Sequence, residues 1–426
     1  MRKFRFILVF VLCTLSLGTF AQDYIRLGER TIMGTARYVG MSGAMSAIGG
    51  DPSAAHDNIA GLGLYRRAEG IISLDVTHGS SRTAISIPHA SFVLSLPSFQ
   101  PGSKVKFNNI FFSYRRLHVY NLSVLGNGAN APSLGALVNR ESIAWDIPFC
   151  KERTNDAYSL DLVESGAVNE FDFGWAMNIS DQWYVGLGVN IQSYRMSSNA
   201  TYNETFGSMY NRNKTTLLHT GTSVSMSAGM IYRPAEWMRL GLGIETPSLG
   251  SLSTYTTGTF TAKTDSVRNS YAKDLVMRDG NFHMPLHTST SAAFQIGAYG
   301  MVALQYDFYY QNSADPIHSL RAGIEVIPVM GMYINAGYAC ESPFKRSTKV
   351  VPMDPTFDRQ DTYFTRPNIT HYGSFAIGYR GPNVIVQAAY QYRWNRQDLY
   401  AHENIVNPFD AQTTTHRVVL TVGWHQ

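Results

Sequence analysis

Residues 38–65 read YVGMSGAMSAIGGDPSAAHDNIAGLGLY, and this stretch decides the fold. Glycine and alanine dominate it, the composition of a segment pressed into a confined space where only small side chains let backbones approach closely. Met41, Met45 and Ile48 recur at helical spacing, which predicts a short helix with one apolar face. Asp51 followed by Pro52 predicts a second helix start. Its carboxylate caps free N–H groups, and the proline sits where its missing N–H is harmless. Asn58 suits a left-handed turn that ends this helix ahead of Ala60, Gly61 and Leu62.

Upstream, Arg2, Lys3 and Arg5 precede an apolar core from Phe6 to Leu17, and Gly18-Thr19-Phe20-Ala21 leads to a cut before Gln22. The apolar run is roughly 12–15 residues against the ~20 a membrane helix needs, so residues 1–21 read as a signal peptide and the mature chain as exported. Cys13 lies inside this core with apolar neighbours, which argues against a lipoprotein cut. Losing three basic residues from 35 leaves 32 against 31 acidic ones, with no polybasic run, and this excludes nucleic-acid binding. Cys150 and Cys340, far apart in the chain, make no disulfide scaffold; whether they form a single bridge stays open.

Downstream of Gly70 the recurring signal is period-2 alternation. Trp183, Val185, Leu187, Val189 and Ile191 share one face of a segment whose other face carries Tyr184, Gly186, Gly188, Asn190 and Gln192. Val302, Leu304, Tyr306, Phe308 and Tyr310 oppose Ala303, Gln305, Asp307 and Gln311, and Val384 to Tyr392 oppose Gln387 to Arg393 in the same way. At roughly 10–12 residues such strands exceed the five or six usual in soluble domains and suit a tilted membrane crossing. About sixteen windows of this kind occur. Turn-forming residues mark short connections at Ser180-Asp181, Arg233 to Glu236 and Arg380 to Asn383. Long ones are expected at about Gly126–Val168, Asn199–His219, Thr264–Asn281 and Glu341–His371. Alternating short and long connections belong to outer-membrane barrels rather than sandwiches. Trp183, Tyr184, Trp237, Tyr309, Tyr310, Tyr390, Tyr392 and Trp394 gather near strand ends, as an interfacial girdle would.

The plug-like block resembles the N-terminal plug of the FadL/TodX outer-membrane transport proteins, whose pattern runs glycine-alanine-rich, acidic, small-residue turn, Asn-Pro-Ala-Gly-Leu. Gly40, Gly43, Ala44, Gly49, Gly50, Asp51, Ser53, Ala54, Asn58, Ala60, Gly61 and Leu62 match, whereas Ile59 stands where that family has proline. The resemblance implies a transmembrane antiparallel β-barrel of about fourteen strands. Its expected domains are a plug at 22–67 and a barrel at 68–426 in the outer membrane of a Gram-negative-type envelope. It implies uptake of hydrophobic compounds, long-chain fatty acids or aromatic hydrocarbons, with lateral exit through the wall, and since nothing after Gln22 stands out as a box for an energy-coupling partner, passive transport is expected. Gly40, Gly43, Gly49, Gly50, Asp51, Asn58, Ala60 and Gly61 are then plug and gating residues. The run His416–Gln426, with Val418, Leu420, Val422 and Trp424 on one face, looks like the closing strand read by the barrel-assembly machinery. The expected surroundings are outer-membrane lipid and lipopolysaccharide, and the expected state is a monomer.

Ligand capture is assigned to Pro132–Ile147, helical-looking and amphipathic, through Leu134, Leu137, Val138, Ile143 and Trp145. Inward-facing Asp172, Asn190, Glu245, Gln305, Asp307, Arg321, Glu325, Asn335 and Gln387 are expected to pair across the lumen and bond to the plug. Other chemistries are weaker. His283 and His287 have zinc-helix spacing, but Pro285 breaks that helix, so no metal or cofactor is expected. A haem receptor is an alternative, with His118, His219 or His371 as a ligand. A porin-like or structural barrel is another. Asp51, His56 and Asp57 lie close together but carry capping and turn roles, with no nucleophile setting, so no enzyme is expected.

Overall fold

The computed structural model describes residues 29–79, 82–98, 102–133, 154–263, 268–311, 316–343, 364–401 and 409–426. β1 (Glu69–Gly79), β2 (Arg82–Pro97), β3 (Val105–Tyr120) and β4 (Ser123–Gly128) lead into three very long strands, β5 (Ala157–Ile179), β6 (Trp183–Phe206) and β7 (Met209–Ala235). Then come β8 (Met238–Glu245), β9 (Leu249–Lys263), β10 (Arg268–Phe282), β11 (Leu286–Ile296), β12 (Gly300–Tyr310), β13 (Ile317–Val326) and β14 (Met332–Glu341). β15 (Phe364–Pro367), β16 (Thr370–Arg380), β17 (Val384–Tyr400) and β18 (Phe409–His425) complete the order.

Every pairing is antiparallel, and β18 pairs with β1 from Glu69↔His425 to Gly79↔Thr415, which closes the sheet on itself. β4 continues β3 against β5, and β15 continues β16 against β17. β8 and β9 form one stave broken at residues 246–248, and β10 and β11 another broken at 283–285. Eighteen strands therefore make a closed barrel of fourteen staves. Closure removes every open edge, so the backbone polar groups of the staves are paired inside the sheet, as hydrocarbon requires.

The alternating faces separate cleanly. Leu187, Val189, Ile191, Leu304, Tyr306, Val384, Val386, Val418, Leu420 and Val422 are exposed on the outside, while Asn190, Gln192, Gln305, Asp307, Gln387 and Gln391 are buried inside. This is an apolar band around a polar lumen, the inverse of a soluble protein. Short connections bound one end, where Ser180 and Asp181 both take positive φ in the tight turn between β5 and β6. Trp183, Trp237, Tyr299, Tyr379 and Trp424 stand exposed near that end as one half of an aromatic girdle. No helix among the described residues is long and apolar enough to cross a membrane.

Two expected loops are strands. Residues 199–219 are not a loop: β6 and β7 pair without interruption from Trp183↔Tyr232 to Phe206↔Met209. Most of residues 264–281 belongs to β10. Both stretches are rich in Asn, Ser and Thr, whose polarity suits a hairpin standing in water beyond the membrane as well as it suits a loop. Inside that extension Leu122, Tyr158, Leu160, Leu162, Tyr202 and Leu399 form an apolar cluster. The capture segment with Leu134, Leu137, Val138, Ile143 and Trp145, and Cys150, lie outside the described residues, whereas Cys340 is free on β14.

Candidate functional site

Residues 29–65 lie within the barrel, and nearly every residue from Ile32 to Gly63 is buried. Among the described residues only α1 (Ala36–Gly40) is a true α-helix; Thr35 caps it and ties it down by donating to both Asp51 carboxylate oxygens at 2.9 and 2.8 Å. The helix expected through Met41, Met45 and Ile48 does not continue, because Ser42, Gly43, Gly49 and Gly50 all take positive φ and turn the chain back. Asp51 caps the 3-10 turn Pro52–His56 with Pro52 in its first position. Asn58 is not a left-handed stop. At φ −154° it is extended and caps the following turn Ile59–Leu64, accepting from the Ala60 N–H at 3.1 Å. A short polar side chain serves either end of a turn, so the sequence alone does not choose between them.

The packing explains the small residues. A Cβ on Gly40 would stand 2.3 Å from the Ala376 Cβ, and the Gly49 and Gly61 backbones touch each other. The wall answers in kind. Gly174, Gly186 and Gly188 leave room for Ile59, Gly323 and Gly337 for Met41, and Gly229 and Gly243 for Asn58 and the Asp57 carbonyl. These lumen-facing glycines, recurring at even spacing in the strands, are a signal that sequence reasoning passes over.

Charge fixes the plug in place. Arg321 of β13 bridges Asp57 of the plug at 3.2 Å and Asp307 of β12 at 3.0 Å, and the Tyr38 hydroxyl donates to the same Asp57 carboxylate at 2.7 Å. Arg30 donates to Glu245 at 2.8 Å and lies 2.6 Å from His56 Nε2, while His56 Nδ1 sits 3.1 Å from Glu170, which Arg115 also holds at 2.8 Å. Arg37 grips Glu325 with Nε and Nη2 at 2.7 and 2.8 Å. Neutral contacts complete the ring: Arg239 donates to the Ile48 carbonyl, Asn109 to the Leu62 and Tyr65 carbonyls, and Asn58 to the Met230 carbonyl. All nine expected lumen residues are buried inside, and Glu245, Asp307, Arg321 and Glu325 are the ones that pair with charges. Their plug partners Arg30, Arg37 and Asp57 carry no pairing signal in the sequence.

His56, Asp57 and His287 bring possible ligand atoms within 4.8 Å of one another. Arg30 on His56 and Arg321 on Asp57 already occupy the positions a cation would take, so the cluster reads as an ion-paired lock. Burial and the Arg115 guanidinium push the His56 imidazole down to about 4. Docked, His56 stays neutral between its ordinary value near 6.5 and about 4, whereas an undocked His56 takes a proton there. Docking therefore weakens as pH falls through that window. Burial pushes Asp51 upward, which acts in the opposite sense. Channel current in planar bilayers is expected to rise as pH falls from about 7 to about 4.5, and His56→Gln, which cannot charge, is expected to move that rise to lower pH. An unshifted profile in His56→Gln would remove His56 from the lock.

Above the plug lies a polar cavity of about 120 Å³ lined by Glu29, Arg30, His118, Glu341, Arg393 and Arg417, among others. Beside it an apolar group of Leu117, Val168, Tyr194, Met196, Leu252, Phe282 and Met284 descends to the two broken staves. At that level the wall is stitched by side chains: Ser248 Oγ accepts from the Met284 N–H at 2.8 Å, His283 Nδ1 contacts the Ser248 carbonyl at 2.9 Å, and Thr246 Oγ1 accepts from the Met226 N–H at 3.0 Å. Pro247 and Pro285 remove ladder donors from the facing staves. The three histidines considered for haem are dispersed: His118 bonds Thr31, His219 bonds Thr254, and His371 bonds Tyr338 on the outer surface.

A closed fourteen-stave barrel, apolar outside and filled by its own N-terminal segment, defines a plugged transmembrane β-barrel. The fold is that of the FadL-type outer-membrane proteins. It is similar to a Pseudomonas aeruginosa FadL homologue (TM-score 0.61, 11% identity, 93% of this chain and 99% of that one). It is also similar to the Pseudomonas putida toluene transporter TodX (0.54, 12%, 93% and 98%) and the Ralstonia pickettii toluene transporter TbuX (0.50, 12%, 93% and 98%). No family model matches the sequence, and no curated protein matches it by sequence.

Proposed function

We propose that the protein is an outer-membrane channel for passive uptake of hydrophobic compounds, with the plug as its gate. The observation that carries this reading is the pair of apolar clusters inside the outer half of the barrel, the inner of which reaches the level where two neighbouring staves break at Pro247 and Pro285 above a sealed, ion-paired plug. An apolar solute gains by moving along such clusters, and the buried charges below oppose its straight passage. The break offers it a sideways route into the bilayer. Gly40, Gly43, Gly49, Gly50, Asp51, Asn58, Ala60 and Gly61 set the plug's shape, and Leu134, Leu137, Val138, Ile143 and Trp145 are the proposed capture residues. Structural relatives that carry toluene support the aromatic end of the substrate range, alongside long-chain fatty acids. Reading the chain as a steadily conducting pore conflicts with the filled lumen.

Crosslinking the break tests this. In a Ser248→Cys/Met284→Cys barrel, oxidised to bridge the segment before β9 to the segment before β11, uptake of a labelled fatty acid and of labelled toluene by whole cells is expected to fall several-fold and to recover on reduction. Unchanged uptake in the bridged barrel overturns the lateral route. Absence of uptake by the unbridged protein overturns the transport reading itself.

A further inference from the structure

The outer surface carries a repeated device that transport does not use. Tyr306 of β12 lies opposite Leu320 of β13, and its hydroxyl contacts the Nδ1 of His318, two residues before Leu320, at 2.7 Å. Tyr338 of β14 lies opposite Gly373, and its hydroxyl contacts Nδ1 of His371, again two residues before, at 2.7 Å. Tyr390 of β17 lies opposite Val418, and its hydroxyl contacts Nδ1 of His416, two residues before, at 2.7 Å. One diagonal cross-strand geometry thus recurs on three pairs of staves. Each imidazole is also held against a second ring: His318 lies 5.5 Å from Phe308, His371 is stacked 5.3 Å from Trp394, and His416 lies 5.1 Å from Tyr392.

The position of these pairs is as regular as their geometry. On β18, His416 precedes the exposed stripe Val418, Leu420, Val422 and Trp424. On β13, His318 precedes Leu320 and Ile324, and on β16, His371 precedes Phe375, Ile377 and Tyr379. Exposed His78 ends the stripe Ile72, Leu74 and Val76 on β1 and is the register partner of His416. From Trp424 to His416 the strand advances about 27 Å, which a tilt near 40° converts to about 20 Å of depth. The tryptophan therefore marks the boundary on the side of the short turns, and the histidines mark the boundary on the side of the long connections, the outer leaflet.

A tyrosine hydroxyl donating to Nδ1 fixes the tautomer with the proton on Nε2. In none of the three does Nε2 make a hydrogen bond within the described residues. The contacts thus take up Nδ1 of each imidazole and leave Nε2 for a headgroup, as an N–H donor where the tyrosine hydroxyl donates. Imidazole N–H groups on every second stave suit a headgroup that carries more than one phosphate. We propose that the β12–β18 face is a docking surface for the phosphate groups of outer-leaflet glycolipid, gripped by His318, His371 and His416 under the control of Tyr306, Tyr338 and Tyr390.

The test is native mass spectrometry of the purified full-length barrel in mild detergent. It is titrated with a phosphorylated lipid A-type glycolipid or with the same glycolipid after enzymatic dephosphorylation. Wild-type protein is expected to retain the phosphorylated form about tenfold better, the preference that a single charge-assisted hydrogen bond to phosphate confers. His318→Leu/His371→Leu/His416→Leu is expected to erase that preference, with barrel assembly checked by its heat-dependent mobility. If the leucine variant does not assemble, Tyr306→Phe/Tyr338→Phe/Tyr390→Phe, which keeps the rings and frees the imidazoles, is expected to reduce it. Equal retention of the two glycolipids by wild type, or full preference in the assembled variants, overturns the proposal. Uptake of hydrophobic compounds is read separately and is expected to stay unchanged in each variant.

Discussion

A barrel lacking residues 29–65 is expected to conduct ions steadily in planar bilayers, whereas the intact chain stays nearly silent. The deletion removes the segment that fills the lumen between Arg115, Glu170, Glu245, Asp307, Arg321 and Glu325, and what remains is a ring of charged side chains around water. Nothing in the strand ladder depends on the plug, because β1 closes on β18 entirely outside it. The truncated chain should therefore still assemble. Uptake of hydrophobic compounds should fall at the same time, since the apolar clusters would open onto a wet pore instead of standing above a seal. A truncated, assembled barrel without new conductance would refute the plug's role as a seal.

Arg321→Met is expected to loosen the plug almost as much without removing it. Arg321 is the side chain that joins the plug carboxylate of Asp57 to the wall carboxylate of Asp307. Taking away one partner of a buried pair leaves an uncompensated charge and costs about 3–5 kcal/mol. Here two carboxylates lose their cation together. Flickering currents and protease cleavage between Gly34 and Tyr65 are the expected signs. Arg321→Met/Asp57→Asn/Asp307→Asn, which removes the stranded charges, should restore much of the seal, because well-packed neutral groups often match a buried ion pair. If Arg321→Met alone stays silent and protected, the lock resides elsewhere in the ring.

How far the sequence reaches follows from what each signal depends on. Strands such as Trp183–Gln192 and His416–Gln426 are readable because lipid on one face and lumen on the other enforce strict alternation. The extension formed by residues 199–219 reads as a loop because beyond the membrane both faces meet water or protein, and Asn and Thr there carry no sidedness. Gly40, Gly49 and Gly61 reveal close packing, yet not the path of the chain, since Ser42 takes φ 47° with no glycine at that position to announce it. The pairing of Arg30 with Glu245 joins residues 215 positions apart, and that of Arg37 with Glu325 joins residues 288 apart. Such partners are chosen by barrel geometry, and no local spacing encodes them.

The plug is the first part of the described chain to be made, yet two of its fastenings come from the last strand. Thr421 accepts from the Ala36 N–H at 2.8 Å, and Arg417 donates to the Ile32 carbonyl at 2.9 Å. Both residues sit on β18, the strand whose pairing with β1 closes the cylinder. These fastenings of the plug thus form only once the last strand is in place. The N-terminal segment has to wait, without these partners, until the final stave arrives, so a chain stalled before β18 would leave both the wall and the gate unfinished.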